Sequence, residues 1–304
     1  MSYGILPREV PLLRDQVVHA WRSPVGLAAA RAAQMRTVGQ APPIAMVRDA
    51  EVAALVDAEL FWVSADMAAL WQAAAESMPP LAMTPADLPA TRGFVVFEEP
   101  VVGIDATSGE RIDVAGLAWT PARDWYTHQL FVEIRSFSDL YTRTDAVANP
   151  MRSVWPSRLF PIGHCAWTIP HTWTQPGAYE GRPQTLLDSV FEDRRRLAAF
   201  SELLAQRVAL TARRPPNNAE RKQAERRGGK PSDVTLITMR RGAVSPPAGE
   251  RETHWSRRWV VSAHWRRQYY PSTRDHRWRI IAAYEKGPAD KPLVVTPKVK
   301  VWTR

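Results

Sequence analysis

The sequence has 304 residues, of which 45% are hydrophobic and 23% are charged, with 40 Lys and Arg against 31 Asp and Glu. This composition supports a folded core and excludes a disordered chain, and the length corresponds to one large domain or two of ordinary size. The single cysteine, Cys165, excludes an intrachain disulfide framework and a four-cysteine zinc site.

Hydropathy predicts a cytoplasmic protein. No run of about 18 uncharged apolar residues occurs, so we expect no membrane-spanning helix. The first ten residues lack the charged-then-apolar order of a signal peptide, and Arg14 and Asp15 interrupt the next apolar stretch.

The first 80 residues have helical periodicity. Residues 8–35 form one apolar helical face until Pro24 interrupts it. Further helices are predicted from residue 47 or 48 to Leu60 and from Asp66 to Glu76, the latter with Ser64 as its N-cap.

The middle of the chain changes to a strand pattern. Short apolar runs separated by turn residues occur at Phe94–Phe97, Val101–Ile104, Val114–Trp119, Leu130–Phe137 and Leu159–Ile169. Val132 and Ile134 alternate with Glu133 and Arg135, which is typical of a half-buried strand. Because the connections are too short for crossover helices, we expect an antiparallel meander.

The clearest helix covers residues 184–212, where apolar residues recur at close to 3.6-residue spacing before Pro215 ends the pattern. Residues 213–233 are polar, basic and glycine-bearing, so we interpret them as a flexible linker and the best domain boundary. Strands are then predicted at residues 234–239, 258–263, 278–284 and 293–301.

These elements predict an α+β fold with N-terminal helices, a mostly antiparallel central sheet, one long helix and a β-rich basic C-terminal unit. The predicted ranges are an α+β domain at 1–212 (helices 8–77, strands 93–169, helix 184–212), a linker at 213–233 and a β-rich unit at 234–304. The last unit is either a domain of its own or part of the central sheet.

The charges are distributed unevenly. Residues 1–190 hold 14 Lys and Arg against 20 Asp and Glu, whereas residues 191–304 hold 26 against 11. A GC-rich genome explains why only six of the positive residues are lysine, but it does not explain this asymmetry. A local excess of this size indicates a polyanionic partner, and arginine grips phosphate through two parallel hydrogen bonds.

The strongest concentration of functional residue types is His254–Tyr284, with seven arginines, four of the 13 tryptophans and three of the seven histidines. Basic residues interleaved with aromatics are typical of proteins that bind single-stranded RNA or DNA. The alternative is that the tryptophans form core and the arginines a solvated face. The predicted nucleic-acid-binding residues are Arg257, Arg258, His264, Arg266, Arg267, Tyr269, Tyr270, Arg274, Arg277 and Arg279.

Two other functions fit the same segment. His264, Tyr269 and His276 are candidate catalytic residues of a toxin-like, metal-independent ribonuclease, which needs an acid, a base and a phosphate clamp. A structural or interaction protein that binds an acidic protein partner is the third hypothesis. No motif fixes a reaction, so the sequence leans towards a non-enzymatic protein.

Metal and cofactor signals are weak. His164, Cys165 and His171 do not have a standard zinc spacing, and His128 lies elsewhere, so we predict no metal and interpret Cys165 as a buried strand residue. The glycine-rich phosphate-binding patterns GxxxxGK[ST] and GxGxxG are absent, and no cofactor is predicted.

The C-terminal sequence carries one resemblance. The segment Arg257–Val295 contains W-V-V-x-x-H-W-R-x-Q-Y-Y-P-S, then H-R, then Y-x-K-G-P. This pattern, together with RGFVVFEEPV at Arg92–Val101, resembles a group of uncharacterised proteins encoded by actinobacteria, their mobile elements and their phages. The resemblance implies an origin and favours a role in mobile-element or phage biology, such as plasmid maintenance, regulation or defence.

Overall fold

The computed structural model of the protein describes residues 4–28, 44–79, 85–104, 110–123, 130–142, 148–168, 184–240, 256–272, 274–288 and 290–294. The chain forms two compact units, Met1–Arg240 and Arg241–Arg304. No helix in the described ranges is both long and apolar enough to cross a membrane.

The first unit combines helices with a seven-stranded mixed sheet. The helices are α1 (Val10–Arg22), α2 (Ile44–Val56), α3 (Ala65–Glu76), α4 (Ala148–Val154), α5 (Gln184–Leu204) and α6 (Asn218–Arg226), with short 3₁₀ turns at Pro7–Glu9 and Pro85–Asp87. The strands are β1 (Glu59–Val63), β2 (Gly93–Ile104), β3 (Arg111–Arg123), β4 (Leu130–Asp139), β5 (Leu159–Thr168), β6 (Ala209–Arg214) and β7 (Val234–Met239).

The sheet has the order β5-β4-β3-β2-β1-β7-β6. Strand β1 is parallel to both β2 and β7, and every other neighbouring pair is antiparallel. This topology confirms the predicted α+β fold with helices and a mostly antiparallel central sheet.

Helices cover both faces of the sheet. Side chains alternate along β1, so Leu60 and Trp62 join Leu13 and Val17 of α1 in one core cluster. On the other face, the Phe61 ring lies 5.6 Å from that of Phe200 of α5. The sheet is therefore the middle layer of three.

Strand β1 was not predicted from the sequence. The predicted second helix ran on to Leu60, whereas α2 ends at Val56 and β1 begins at Glu59. Leu60 to Val63 are all buried, because β1 is central and both of its faces pack on helices. A strand of this kind is a continuous apolar run without alternation, so periodicity does not separate it from a helix.

Two further element boundaries differ from prediction. The runs Phe94–Phe97 and Val101–Ile104 belong to one strand, β2, whose pairing with β3 shifts register between Val96 and Val101. The long helix α5 ends at Leu204, and the next residues form β6, an exposed edge strand. An edge strand buries few side chains, so it lacks the alternation by which a strand is recognised.

Residues 213–233, which were predicted to be a flexible linker, are folded. Helix α6 begins at a capping box in which the Asn217 side chain accepts from the Glu220 N–H at 2.9 Å and the Glu220 carboxylate accepts from the Asn217 N–H at 3.0 Å. Strand β7 then pairs with β1. The division between the units therefore falls after Arg240 and not within the polar segment.

Helix α1 holds this segment in place. The buried Arg14 donates to the Lys230 carbonyl and to the Ser232 hydroxyl, both at 2.9 Å, and its Nη2 lies 2.8 Å from Asp15. Two hydrogen bonds from a buried arginine therefore fix the end of this segment against α1, and the sequence pattern does not reveal them.

A buried ion network joins α2 to the sheet. Arg135 is 1% exposed, and its Nε donates to Glu51 Oε2 at 2.7 Å while Nη2 pairs with Glu133. Burial alone lowers the pKa of Arg135, but the Glu51 and Glu133 carboxylates more than offset this and raise it above its ordinary value. The face of β4 that carries Glu133 and Arg135 is thus covered by α2, and not solvated as the alternation predicted.

The second unit contains two small sheets. Its strands are β8 (Arg258–Val261), β9 (His264–Tyr270), β10 (Asp275–Ile281), β11 (Tyr284–Lys286) and β12 (Leu293–Val294). Strands β9 and β10 form an antiparallel pair, and β8 lies between β11 and β12. The strand predicted at residues 258–263 ends at Val261, and β9 begins at His264.

The backbone conformation at position 287, within the Y-x-K-G-P pattern, requires glycine. Its φ is +116°, and a Cβ at this position would lie 2.6 Å from the Arg257 carbonyl oxygen. Any other side chain would have to adopt a rarely populated conformation and displace the neighbouring strand. The backbone of the C-terminal unit therefore requires glycine at this position.

Candidate nucleic-acid interface

The entire formal charge of the protein lies in its C-terminal unit. Residues 241–304 contain 14 Lys and Arg against 5 Asp and Glu, a formal charge of +9. Residues 1–240 contain 26 of each, a formal charge of zero. Of the excess of +15 that the sequence places after residue 190, +6 falls within residues 191–240, where the acidic earlier part of the first unit balances it, and +9 falls in the second unit, whose field attracts polyanions.

Seven of the ten predicted nucleic-acid-binding residues lie on the antiparallel pair β9–β10, here called the ribbon. Directly opposed side chains share a face, and successive residues alternate between faces. The arginine face carries His264, Arg266, Gln268 and Tyr270 opposite Ile281, Arg279, Arg277 and Asp275. The aromatic face carries Trp265, Arg267 and Tyr269 opposite Ile280, Trp278 and His276.

The arginine face presents guanidinium groups to solvent. Arg266, Arg277 and Arg279 are all exposed. Arg277 Nε lies 3.9 Å from Asp275 Oδ2, but both side chains are 63% exposed, so this ion pair contributes little. Neither Arg266 nor Arg279 forms an ion pair with any residue that the structure describes.

Two arginines of this face lie side by side. Arg266 is directly opposite Arg279, which places their Cβ atoms about 4.5–5.5 Å apart. Like charges in this arrangement destabilise a strand pair. A bound phosphate would remove the repulsion, because each guanidinium can donate two hydrogen bonds to an oxyanion.

The aromatic face is buried towards one end. The rings of Tyr269 and His276 lie 5.0 Å apart near the turn, and both side chains are exposed. Trp265 and Trp278 are half-buried, and Ile280 at the open end is 3% exposed. The described tryptophans of this face therefore serve mainly as packing residues, and the Tyr269–His276 pair is the accessible aromatic surface.

The remaining three predicted arginines lie outside the two ribbon strands. Arg274 is exposed in the turn, with a φ of 51°, and Arg257 is exposed before β8. Arg258 is engaged within the unit, because its Nη1 lies 2.9 Å from Glu285 Oε2 and its Nε donates to the Lys291 carbonyl at 2.9 Å. Arg258 therefore joins β8 to its neighbours and offers the partner less of its guanidinium than Arg274 or Arg257.

The candidate catalytic residues lie on different faces. His264 Nδ1 donates to the Ser262 carbonyl at 2.9 Å, which leaves Nε2 of the neutral ring as an acceptor. His264 belongs to the arginine face and His276 to the aromatic face, so the two rings do not converge on one phosphate. Tyr269 and Arg267 share the face of His276, and these three are the group that could act together.

The candidate metal ligands fall largely outside the described residues. His128 and His171 are not among them, and for His164 and Cys165 only the backbone, in β5, is described. Within the described ranges, no three His, Cys, Asp or Glu side chains lie together as a metal site. The sequence prediction of no metal stays a prediction.

Gln268 was not selected from the sequence. It lies on the arginine face directly opposite Arg277. Strict alternation from His264 through Arg266 leads to Gln268, so the signal was present, but a neutral amide stands out neither by charge nor by aromatic character.

No protein-family model and no curated protein matches the sequence. Among solved structures, the chain is similar to one described as "Crystal structure of AcrVA2", with 11% sequence identity and a TM-score of 0.37 over 93% of this chain and 88% of that chain. Since both values are low, this likeness implies nothing about function.

Proposed function

We propose that the protein binds nucleic acid and that the ribbon of the C-terminal unit is the contact surface. The observation that carries this proposal is a set of exposed arginines, three on the ribbon and one in its turn, without an ion pair to any described residue: Arg266, Arg267, Arg279 and Arg274. Exposed guanidinium groups that have no carboxylate partner can pair with the regularly spaced phosphates of a nucleic acid.

Phosphate contacts supply most of the affinity in this account. Each phosphate that an arginine neutralises releases condensed counterions, so affinity falls steeply as salt rises. The exposed Tyr269–His276 pair, with a ring separation of 5.0 Å, adds a surface on which a base can stack.

The resemblance of Arg257–Val295 to proteins of actinobacteria, their mobile elements and their phages supports an accessory role in a mobile element or phage. Under this proposal, the protein acts by occupying nucleic acid and not by chemical turnover.

The test is fluorescence anisotropy of the full chain with labelled 24-mers of single-stranded DNA, single-stranded RNA and duplex DNA at ~50 mM salt. We expect binding to at least one probe, weakened at least about tenfold by R266Q together with R279Q. The control is R226Q with R227Q, which removes the same charge from exposed positions of the first unit. Absence of binding to every probe, or equal loss in both double variants, contradicts the proposal.

A second candidate function is a metal-independent ribonuclease. It is favoured by the shared face of Tyr269, His276 and Arg267, which supplies an acid–base pair beside a phosphate-binding group. If it is correct, RNA incubated with the purified protein in EDTA is cleaved, and H276A abolishes cleavage. Because His264 lies on the opposite face, H264A should leave cleavage unchanged; intact RNA with the wild-type protein removes this candidate.

A further inference from the structure

The two faces of the ribbon differ in how much of their length a ligand can reach. On the aromatic face, exposure falls from 45% at Tyr269 near the turn to 3% at Ile280 at the open end. On the arginine face, Arg266, Arg277 and Arg279 are all exposed. A ligand that runs along the ribbon therefore meets the arginine face.

The ribbon has the dimensions of a DNA groove reader. Both strands have seven residues, which gives a length of about 24 Å and a strand separation of about 5 Å. Among the described residues, neither β9 nor β10 pairs with a third strand. The major groove of B-DNA is about 12 Å wide and admits a two-stranded β-ribbon.

The side-chain spacing also matches duplex DNA. Residues that share a face, such as His264, Arg266 and Gln268, repeat about every 6.8 Å along a strand. Base pairs are stacked about 3.4 Å apart, so consecutive side chains of one face fall two base pairs apart.

The arginine face carries the residue types that recognise base edges in the major groove. Arginine donates two hydrogen bonds to guanine O6 and N7, and glutamine forms two with adenine N6 and N7. Arg266, Arg279 and Arg277 supply the first kind of contact, and Gln268 supplies the second on the same face.

Other nucleic acids fit this face less well. Single strands are held by rows of exposed aromatic rings, whereas Trp265 and Trp278 are half-buried on the other face. The major groove of duplex RNA is too deep and narrow for side chains to read.

We propose that the arginine face enters the major groove of duplex DNA and reads base edges through Arg266, Gln268, Arg277 and Arg279. This inference rests on the proposed function and adds the substrate class and the mode of recognition. Arg267, on the aromatic face, and Arg274, in the turn, contact phosphates.

The experiment begins with selection of a random 20-base-pair DNA pool on the full chain, followed by affinity measurements on the enriched sequence. The selected duplex is compared with its single strands, with duplex RNA of the same sequence, and with a duplex in which 7-deazaguanine replaces guanine. The last probe removes the major-groove N7 acceptor and leaves the backbone and minor groove unchanged.

We expect a guanine-containing consensus, tighter binding to duplex DNA than to either strand or to duplex RNA, and at least about fivefold weaker binding to the 7-deazaguanine duplex. R266A and R267A are matched variants, since both remove an exposed arginine from β9 but from opposite faces. R266A should reduce the 7-deazaguanine effect, because one of the three guanine-reading arginines is lost, whereas R267A should weaken all duplexes equally and retain the effect in full. Circular dichroism checks that both variants fold.

The outcomes separate this inference from the proposed function. Binding to DNA without sequence enrichment, or without sensitivity to 7-deazaguanine, overturns the major-groove inference and leaves nucleic-acid binding intact. A preference for single strands that is lost in Y269A overturns it in favour of the aromatic face. Failure to bind any nucleic acid overturns both.

Discussion

The two units use arginine in opposite ways. In the first unit, Arg135 and Arg196 are 1% and 5% exposed, and each lies within 2.9 Å of an acidic side chain. In the ribbon, Arg266 and Arg279 are exposed and lie opposite each other. This difference shows that arginine content alone does not identify a binding surface. Arginines are available to a ligand where nearby carboxylates are too few to pair with them.

The physical reason is desolvation. A buried guanidinium needs a carboxylate partner, because an unpaired buried charge is strongly destabilising. In the first unit, where acidic and basic residues are equal in number, the buried arginines Arg135 and Arg196 serve as structural cross-links. An exposed guanidinium has no such need, so the ribbon can hold several without partners.

The largest expected effect is on the buried network of the first unit. R135M leaves the buried Glu51 and the half-buried Glu133 without their cation, so we expect a loss of about 3–5 kcal/mol in the free energy of unfolding. R266M, at an exposed ribbon position, should change it by less than about 0.5 kcal/mol. Urea denaturation measures both, and equal effects of the two variants would contradict the comparison.

The second effect concerns the backbone of the C-terminal unit. Position 287 has a φ of +116°, and the Cβ that G287A adds would lie 2.6 Å from the Arg257 carbonyl oxygen. We expect the free energy of unfolding to fall by about 1–3 kcal/mol. Hydrogen exchange should increase in the described strands β8 and β11 and stay unchanged in β1.

The control for that variant is G228A, at φ +68° in the first unit, where an added Cβ meets no atom within 4 Å. G228A should lower the free energy of unfolding by about 1–2 kcal/mol through the backbone conformation alone. If G287A lowers the free energy of unfolding no more than G228A does, the close approach to Arg257 does not contribute to the requirement for glycine.

A smaller effect is expected in the salt dependence of binding. R267Q removes one phosphate contact, so the slope of log affinity against log salt should become shallower by about 0.9 for B-DNA. R226Q, in α6 of the neutral unit, should leave the slope unchanged. Identical slopes in wild type and R267Q would mean that Arg267 does not contact phosphate.

The smallest effect is the pH dependence of the α6 cap. The hydrogen bond from Arg214, aided by the Asn217 N–H, lowers the pKa of Glu220 below its ordinary value. Because the folded-state pKa is the lower one, the stabilisation is complete above the unfolded value of about 4.3 and is lost as pH falls through the folded value. Thermal unfolding of wild type and E220Q should therefore differ at pH 7 and converge at low pH; a difference that is constant across pH would contradict this role.

Much of the fold could be predicted because its elements have clear periodicity. Helix α3 and strands β3 to β5 lie close to their predicted positions, since each has one covered face or a bounded apolar run. Strand β1, buried on both faces, and edge strand β6, buried on neither, could not be recognised from a period of two.

The sequence predicts the residue types of the candidate site better than it predicts their arrangement in space. Charge and aromatic content single out the candidate segment, and alternation along β9 puts His264 and Arg266 on one face. The separation of His264 from His276 depends on the register of β9 with β10, which a sequence alone does not give. The engagement of Arg258 with Glu285, across 27 residues, likewise depends on pairing between strands.

The most direct test of the central claim is photocrosslinking of the full chain to DNA and RNA that contain 5-bromouracil, followed by mass spectrometry of the linked peptides. The account predicts that the linked peptides come from residues 264–281, and that R266Q with R279Q removes them. Crosslinks confined to Met1–Arg240 would contradict it, because they would place the nucleic acid on the unit that carries no net charge.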